Sequence, residues 1–189
     1  MLTKDFLQTI HAVPEDVLDQ YLQHGSAFEA PRKTILTAPG ETERYMYLVE
    51  KGIQKSYYLV GSKEHVIAFT YPPSFSGIPE SFFTQSPSKY YLETITASSF
   101  LRISYRKHLE LLKEYREIET LFRKGTEMLL KGVLERHYEL MALDIETRFK
   151  NFARRSPHLL NRIPHKDLAS YLRIDATNFS KLLNRIPIE

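Results

Sequence analysis

Short polar and positively charged side chains lie on one face of the last predicted helix, where they could contact DNA. The face holds Thr177, Asn178, Ser180, Lys181 and Arg185, and Lys166 near the start of the preceding helix completes the predicted DNA-binding set. Hydroxyl, amide and cationic groups of this kind contact base edges and phosphates when a helix enters the major groove. The alternative is a plain helical hairpin whose polar face only meets solvent.

The segment Pro164–Arg185 has the pattern of a helix-turn-helix, with Arg173–Asp175 as the turn. Asp175 can accept hydrogen bonds from the first amides of the second helix. Ala169 is small at the point where the second helix must cross the first. We expect one small shared core from the apolar residues of both helices, namely Leu168, Leu172, Ile174, Phe179 and Leu182.

Positive charge is concentrated in the last quarter of the chain. The protein has 189 residues and a formal net charge of +3. Residues 142–189 carry a net charge of +4, and residues 1–141 carry −1. A basic end on a nearly neutral body is typical of a nucleic-acid-binding module.

The composition argues against several kinds of catalytic and metal site. The chain has no cysteine, which excludes iron–sulfur clusters, thiolate zinc sites and cysteine nucleophiles. His65 is the one histidine between Gly25 and His108, so the clustered histidines of a metal-dependent jelly-roll enzyme are missing. No phosphate-binding or dinucleotide-binding glycine motif occurs. We therefore expect a protein that is not an enzyme and that holds no metal and no cofactor.

The apolar pattern predicts neither a membrane span nor an export signal. The longest stretch without charge, Val66–Pro79, contains three prolines and is too short to cross a bilayer. The start of the chain, Met1–Phe6, lacks the apolar region of a signal peptide. These features predict a cytoplasmic protein without a membrane partner.

The elements that would position the C-terminal residues change in type along the chain. A helix is predicted from Pro14 to Gly25, and residues 26–104 are predicted to form a small antiparallel β-barrel or jelly roll. Its predicted strands, which are rich in Tyr, Ile, Val, Thr and Phe, are Lys33–Thr37, Arg44–Glu50, Ile53–Val60, Val66–Tyr71, Tyr90–Ala97 and Ser99–Ser104. Helices follow: a short one around Leu109 and Leu112, a long one over Glu117–Leu143, and one from Asp144 to Arg155. The fold class is therefore α+β.

The long helix is a candidate dimerisation element. Its apolar stripe is wide enough to pack on the barrel with one side and on a partner helix with the other. Gly125 and Gly132 lie seven residues apart on one face, and each costs about 1 kcal/mol relative to alanine. Close approach of a second helix would explain that cost. The alternative is that both glycines only make room for bulky barrel residues.

The order of these elements, together with two motifs, resembles the Crp/Fnr family of bacterial transcription regulators. The motifs are PGETERYMYLVEKGIQKSYY at Pro39–Tyr58 and NRIPHKDLASYLRIDATNFSKLLNR at Asn161–Arg185. The resemblance implies a β-roll sensor domain over 1–115, a long dimerisation helix over 116–143 and a compact DNA-binding domain over 144–189. It also implies a homodimer that binds palindromic double-stranded DNA, with RNA polymerase and a small-molecule effector as further partners.

The region that corresponds to the family's cyclic-nucleotide cassette departs from the family pattern. Gly77 matches the cassette glycine, but Ile78 follows it in place of an acid, and Glu80 is displaced. Ser88 stands where those members have arginine, and the adjacent Lys89 offers a point charge, not a bidentate fork. We therefore expect a degenerate effector pocket at Gly77, Glu80, Ser88 and Lys89 that does not bind cyclic nucleotide.

The DNA-binding end departs from the family as well. Arg173 occupies the turn position where the family has glycine, which would cost about 1 kcal/mol if that residue takes a positive φ. The base-reading positions carry over to Ala176, Thr177 and Lys181, with Arg155 expected on the phosphate backbone. Few residues follow Arg185, so we expect the family's β-wing to be absent or displaced. The alternative function is a ligand-binding or protein-interaction β-roll that does not bind an operator.

Overall fold

The structure, a computed structural model, describes residues 3–185 and divides the chain into two compact units. The first comprises Met1–Tyr57 and Ala68–Met128, and the second comprises Tyr58–Ile67 and Leu129–Glu189. The predicted division at residues 115 and 143 remains a prediction. Within the described residues, no helix is long and apolar enough to cross a membrane.

Eight α-helices and eight β-strands are present in residues 3–185. The helices are α1 (Thr3–Ile10), α2 (Glu15–Gln23), α3 (Pro79–Thr84), α4 (Tyr105–Glu114), α5 (Arg116–Ala142), α6 (Ile145–Arg155), α7 (His165–Leu172) and α8 (Ala176–Arg185). The strands are β1 (Ser26–Ala30), β2 (Ile35–Thr37), β3 (Tyr45–Lys51), β4 (Gln54–Val60), β5 (Lys63–Thr70), β6 (Ser74–Ser76), β7 (Tyr91–Thr94) and β8 (Ser98–Ser104).

The strands form the two antiparallel sheets of a jelly roll, which confirms the α+β prediction. One sheet has the order β1-β8-β3-β6 and the other has the order β2-β7-β4-β5. Side chains alternate along the strands, so Tyr47 and Phe100 face the interior of the roll. Leu48 and Ile103 face the opposite way, toward the helices of the first unit.

The first unit has a second apolar core outside the roll, where α1, α2, α4 and α5 pack on the outer face of the first sheet. Leu18, Leu111 and Leu121 are buried there. The core also encloses His108, whose Nδ1 lies 2.9 Å from the Tyr21 hydroxyl. Burial lowers the pKa of His108 to about 4, so the imidazole is neutral at pH 7.

Several elements escaped the sequence prediction. Helix α1 precedes the helix that was expected first, and β1, β6 and α3 lie in segments left without an assignment. The short strand β6 breaks off after three residues, too few to show alternation. The long helix was predicted within one residue at each end, since α5 covers Arg116–Ala142.

The two glycines of α5 have different surroundings within the chain. A Cβ atom on Gly125 would lie 3.8 Å from the Phe75 ring of the same chain, and one on Gly132 would meet nothing within 4 Å. At about 100° per residue, Gly132 lies roughly 160° around the helix from the exposed Leu134. Because 3.8 Å is an ordinary van der Waals distance, neither position requires glycine within a single chain, and close approach of a second helix remains a prediction.

The core of the second unit confirms the shared apolar set of the predicted helix-turn-helix. Leu168, Leu172, Ile174, Phe179 and Leu182 are all buried. Phe149 of α6 adds to this core, with its ring centroid 5.7 Å from that of Phe179. Asp144 caps α6 as predicted, because its carboxylate accepts from the Thr147 N–H at 2.8 Å.

Candidate nucleic-acid interface and effector region

The turn between α7 and α8 is closed by backbone hydrogen bonds around a left-handed residue. Arg173 has φ 54° and ψ 43°, the conformation that favours glycine. Its N–H donates to the Ser170 carbonyl at 3.1 Å, and the Ile174 N–H donates to the Ala169 carbonyl at 3.0 Å. The strained turn that the sequence suggested is therefore present, with an arginine in it.

Asp175 begins α8 in the predicted way. Its Oδ1 accepts from the Asn178 N–H at 2.9 Å. This backbone hydrogen bond lowers the pKa of Asp175 below its usual value, so the carboxylate stays charged at the positive end of the helix dipole. The cap fixes where α8 starts and therefore which side chains face outward.

Three of the predicted DNA-binding side chains come together on the exposed face of α8. Thr177, Ser180 and Lys181 are exposed. Asn184 is also exposed and lies seven residues after Thr177, so it shares their face. The sequence interpretation missed Asn184, although its helical spacing from Thr177 and Lys181 could have revealed it.

The other three predicted DNA-binding residues have partners within the chain. The Asn178 side chain is half-buried and donates to the Asp175 carboxylate. Arg185 pairs with Glu146 of α6. Lys166 Nζ lies 3.8 Å from the Glu64 carboxylate. The pairs of Arg185 and Lys166 are exposed and worth at most about 1 kcal/mol, so a DNA phosphate can replace either acidic partner.

Helix α7 is held on two sides within the second unit. The Ser170 hydroxyl accepts from the Val66 N–H at 3.0 Å and donates to the Glu64 carbonyl at 3.1 Å, which ties α7 to the tip of the β4–β5 hairpin. From α5, the Arg136 guanidinium lies 3.5 Å from the centroid of the Tyr171 ring. These contacts fix the first helix of the motif from two directions.

Arg155, which was predicted to contact the phosphate backbone, also has a partner within the chain. Its Nη1 lies 3.1 Å from a carboxylate oxygen of Glu139, whose side chain is only 13% exposed. An arginine that neutralises a largely buried acid cannot leave it without cost. Arg155 therefore secures α6 to α5, and its substitution would disturb structure as well as charge.

An apolar stripe runs along the C-terminal half of α5 and faces away from Arg136 and Glu139. Leu130, Leu134, Tyr138 and Met141 are spaced by four, four and three residues, which places them on one side of the helix. Their side chains remain 58%, 59%, 61% and 75% exposed, respectively. Contiguous apolar surface of this kind marks an interaction site.

The predicted effector residues differ in exposure and in the hydrogen bonds that they make. Gly77 has a positive φ of +146°, a conformation that favours glycine. Glu80 and Lys89 are exposed. Ser88 is buried, but its hydroxyl accepts from the Tyr90 N–H at 2.9 Å and donates to the Tyr90 carbonyl at 2.8 Å. The hydroxyl is therefore committed to the local backbone.

A buried acid that the sequence interpretation missed lies beside Gly77. Glu43 is 1% exposed, and its carboxylate accepts from the Thr37 hydroxyl at 2.7 Å. The backbone N–H groups of Tyr45 and Ile78 also donate to it. Burial raises the pKa of Glu43, and these hydrogen bonds oppose that rise. The Glu43 carboxylate therefore accepts a hydrogen bond from the backbone N–H of Ile78, the residue that follows Gly77.

Comparison with known proteins gives one family match and many structural relatives. Residues 28–115 match the family described as Cyclic nucleotide-binding domain. No curated protein sequence gives a significant match to the chain.

Three solved structures illustrate the structural similarity. The catabolite activator protein of Thermus thermophilus is 18% identical, with a TM-score of 0.59 over 93% of this chain and 84% of that one. The CooA protein of Carboxydothermus hydrogenoformans is 18% identical, with a TM-score of 0.69 over 90% and 82%. The c-di-GMP-responsive global regulator CLP of Xanthomonas campestris is 18% identical, with a TM-score of 0.65 over 91% of each chain.

Proposed function

We propose that the protein is a DNA-binding transcription regulator, because residues 28–115 match the family described as Cyclic nucleotide-binding domain and the fold is similar to that of Crp/Fnr-type regulators. It acts in the cytoplasm as a homodimer on a palindromic operator, with RNA polymerase as a further partner. Its sensor, dimerisation and DNA-binding parts follow the division at residues 115 and 143.

The exposed face of α8 is the observation that carries this proposal. Phe179 and Leu182 anchor the opposite side of the helix in the core. The exposed side then presents Thr177, Ser180 and Lys181 without any apolar interruption. A rigid helix with hydroxyl, amide and ammonium groups along one edge suits the donor and acceptor pattern of the major groove. Lys166, Asn178 and Arg185 flank that face as phosphate contacts.

The α5 stripe supports the homodimer. Four large side chains that are more than half exposed would be unfavourable on a monomer, and two copies of the same helix can cover each other. A two-fold dimer places its two recognition helices on half-sites about 34 Å apart, one turn of DNA.

The effector region supports a regulator that does not respond to cyclic nucleotides. The Glu43 carboxylate already accepts a hydrogen bond from the Ile78 N–H. A second anion placed beside that N–H would be repelled by the carboxylate. The hydroxyl of Ser88 is used by Tyr90. The proposed effector is therefore a different small molecule.

Selection of binding sites from a random duplex library at near-physiological salt tests the proposal. We expect an enriched palindrome with half-sites one helical turn apart. On that site, Lys181→Ala should weaken binding by about 5- to 150-fold, the equivalent of one base contact worth roughly 1–3 kcal/mol. It should also relax the preference at one position per half-site.

The matched control is Lys131→Ala, which removes an exposed lysine from α5. It should leave both affinity and sequence preference unchanged. Affinity that is equal for every duplex, in the wild type and both variants, would contradict operator recognition. That outcome would favour a β-roll module that serves a ligand or a protein partner.

A further inference from the structure

We propose that the inner face of the first sheet binds a small planar carboxylate, with Arg102 as its anchor. This deepens the effector part of the proposed function. The site differs from the degenerate cassette, because Arg102 lies on β8 and the cassette residues lie on and around α3.

Arg102 is an arginine on the inner side of the roll. It lies two residues after Phe100 on β8 and therefore on the same face, and it is paired across the sheet with Tyr47 of β3, which also faces the inner core. Its guanidinium carbon lies 4.1 Å from the centroid of the Phe28 ring and 4.4 Å from that of Tyr45. Aromatic rings from the two neighbouring strands therefore hold the guanidinium in one orientation. Less side-chain entropy would then be lost when a ligand binds.

Two buried polar atoms on this inner face have no hydrogen-bond partner. They are Nε of Arg102 and the hydroxyl of Ser74. Ser74 pairs with Val49, which also faces the inner core, so both atoms belong to one surface. An unsatisfied buried donor costs about 1–3 kcal/mol, so two on one wall indicate a polar ligand that the protein is built to receive.

The surroundings define the chemistry of that ligand. The Nε–H of Arg102 is a donor on a permanent cation, so its matching partner is an anionic oxygen. Phe28, Tyr45, Tyr47 and Phe100 form a contiguous set of rings around it, with centroid separations of 5.2–6.2 Å. Aromatic walls favour a flat body. Glu43 already accepts from the Ile78 N–H, so an anion would find its donor at Nε of Arg102, whose guanidinium also hydrogen-bonds the Tyr47 side chain.

The Nε–H resonances of the arginines provide a direct test in the full-length protein. We choose 4-hydroxybenzoate as the probe and its neutral amide, 4-hydroxybenzamide, as the matched control ligand. In uniformly ¹⁵N-labelled protein, 4-hydroxybenzoate should shift the Arg102 Nε–H signal in a saturable way at about millimolar concentration or below. The amide, which has no carboxylate, should leave that signal in place.

Two substitutions assign the signal and test the anchor. Arg102→Met should remove the signal and weaken 4-hydroxybenzoate binding, followed on the tyrosine ring resonances, by about ten-fold or more. Arg106→Met is the matched control, because the Arg106 side chain is 91% exposed and pairs with Glu110. It should leave the binding constant unchanged.

Three outcomes would overturn the proposal. The first is an Arg102 signal that does not move with 4-hydroxybenzoate, which would mean that water satisfies Nε. The second is an equal shift with the amide, and the third is unchanged affinity in Arg102→Met. The wild-type titration stands even if that variant fails to fold. No DNA is present, so failure here is separate from failure of operator binding.

Discussion

The apolar stripe on α5 yields a quantitative prediction for the proposed dimer. Leu134 lies at the centre of the stripe and is 59% exposed. Burial of a whole leucine side chain is worth about 1.5–3 kcal/mol, so covering the exposed part contributes roughly 1–2 kcal/mol per subunit. A two-fold interface contains the residue twice, which doubles the contribution to about 2–4 kcal/mol.

Leu134→Gln should therefore raise the dissociation constant of the dimer by about 30- to 700-fold. Glutamine and leucine have nearly the same helix propensity, so the helix itself should persist. Sedimentation velocity over a concentration series measures the constant, and circular dichroism checks the helix content. Operator affinity should fall at concentrations where the variant is monomeric.

Glu135→Gln is the matched control for this substitution. It places the same residue at the next position, about 100° around the helix and outside the stripe. The Glu135 side chain is 63% exposed, and its pair with Lys131 is worth at most about 1 kcal/mol. The reasoning would be refuted if the two variants had the same dissociation constant, or if wild-type protein were monomeric at high concentration.

Three further predictions concern stability. Arg173→Gly should raise the free energy of unfolding in urea by about 1 kcal/mol, because φ is 54° at that residue and glycine adopts it without strain; no gain would mean that the turn is unstrained. His108→Gln should abolish a pH dependence. The folded-state pKa of His108 is about 4 against the usual 6.5, so its contribution is complete above pH 6.5 and is lost as the pH falls toward 4. The wild type should lose about 3 kcal/mol over that window, and the exposed control His137→Gln should keep this slope. Ser170→Ala should speed amide hydrogen exchange at Val66 by about 2- to 10-fold, since one net hydrogen bond worth about 1 kcal/mol is lost; unchanged exchange would show that the hairpin does not depend on this contact.

The sequence predicted the elements that depend on local pattern. Asp144 and Asp175 were identified as helix caps, and both accept the expected backbone hydrogen bond. The shared core of the helix-turn-helix follows from apolar spacing at the helical period. The positive φ of Arg173 was expected from the turn. Each of these features involves residues that are close in sequence.

The features that the sequence analysis missed depend on contacts between segments that are separated along the chain. The role of Arg155 on the phosphate backbone stays a prediction, and its pair with Glu139, 16 residues away in sequence, was not foreseen. The Glu43 carboxylate accepts a hydrogen bond from the N–H of Ile78, 35 residues later, and no local sequence pattern predicts that contact. From sequence alone a charged residue is expected on the surface, and the burial of Glu43 becomes visible only in the folded roll.

Glu43 and Arg102 illustrate why proteins that share a fold can differ in their ligands. The jelly roll depends on alternating apolar side chains, and many sequences satisfy that requirement, as the 18% identity to the Thermus activator illustrates. Ligand chemistry depends on a few polar atoms instead.

In this chain the Glu43 carboxylate accepts from the N–H of Ile78, next to Gly77, and the Arg102 guanidinium lies on the inner face of β8. Glu43→Gln removes the negative charge and keeps hydrogen-bonding groups, so it should not by itself create cyclic-nucleotide binding, because the bidentate cation at position 88 is still missing. Titration of that variant with cyclic AMP by calorimetry checks this, and heat of binding in the variant alone would show that Glu43 is the sole barrier.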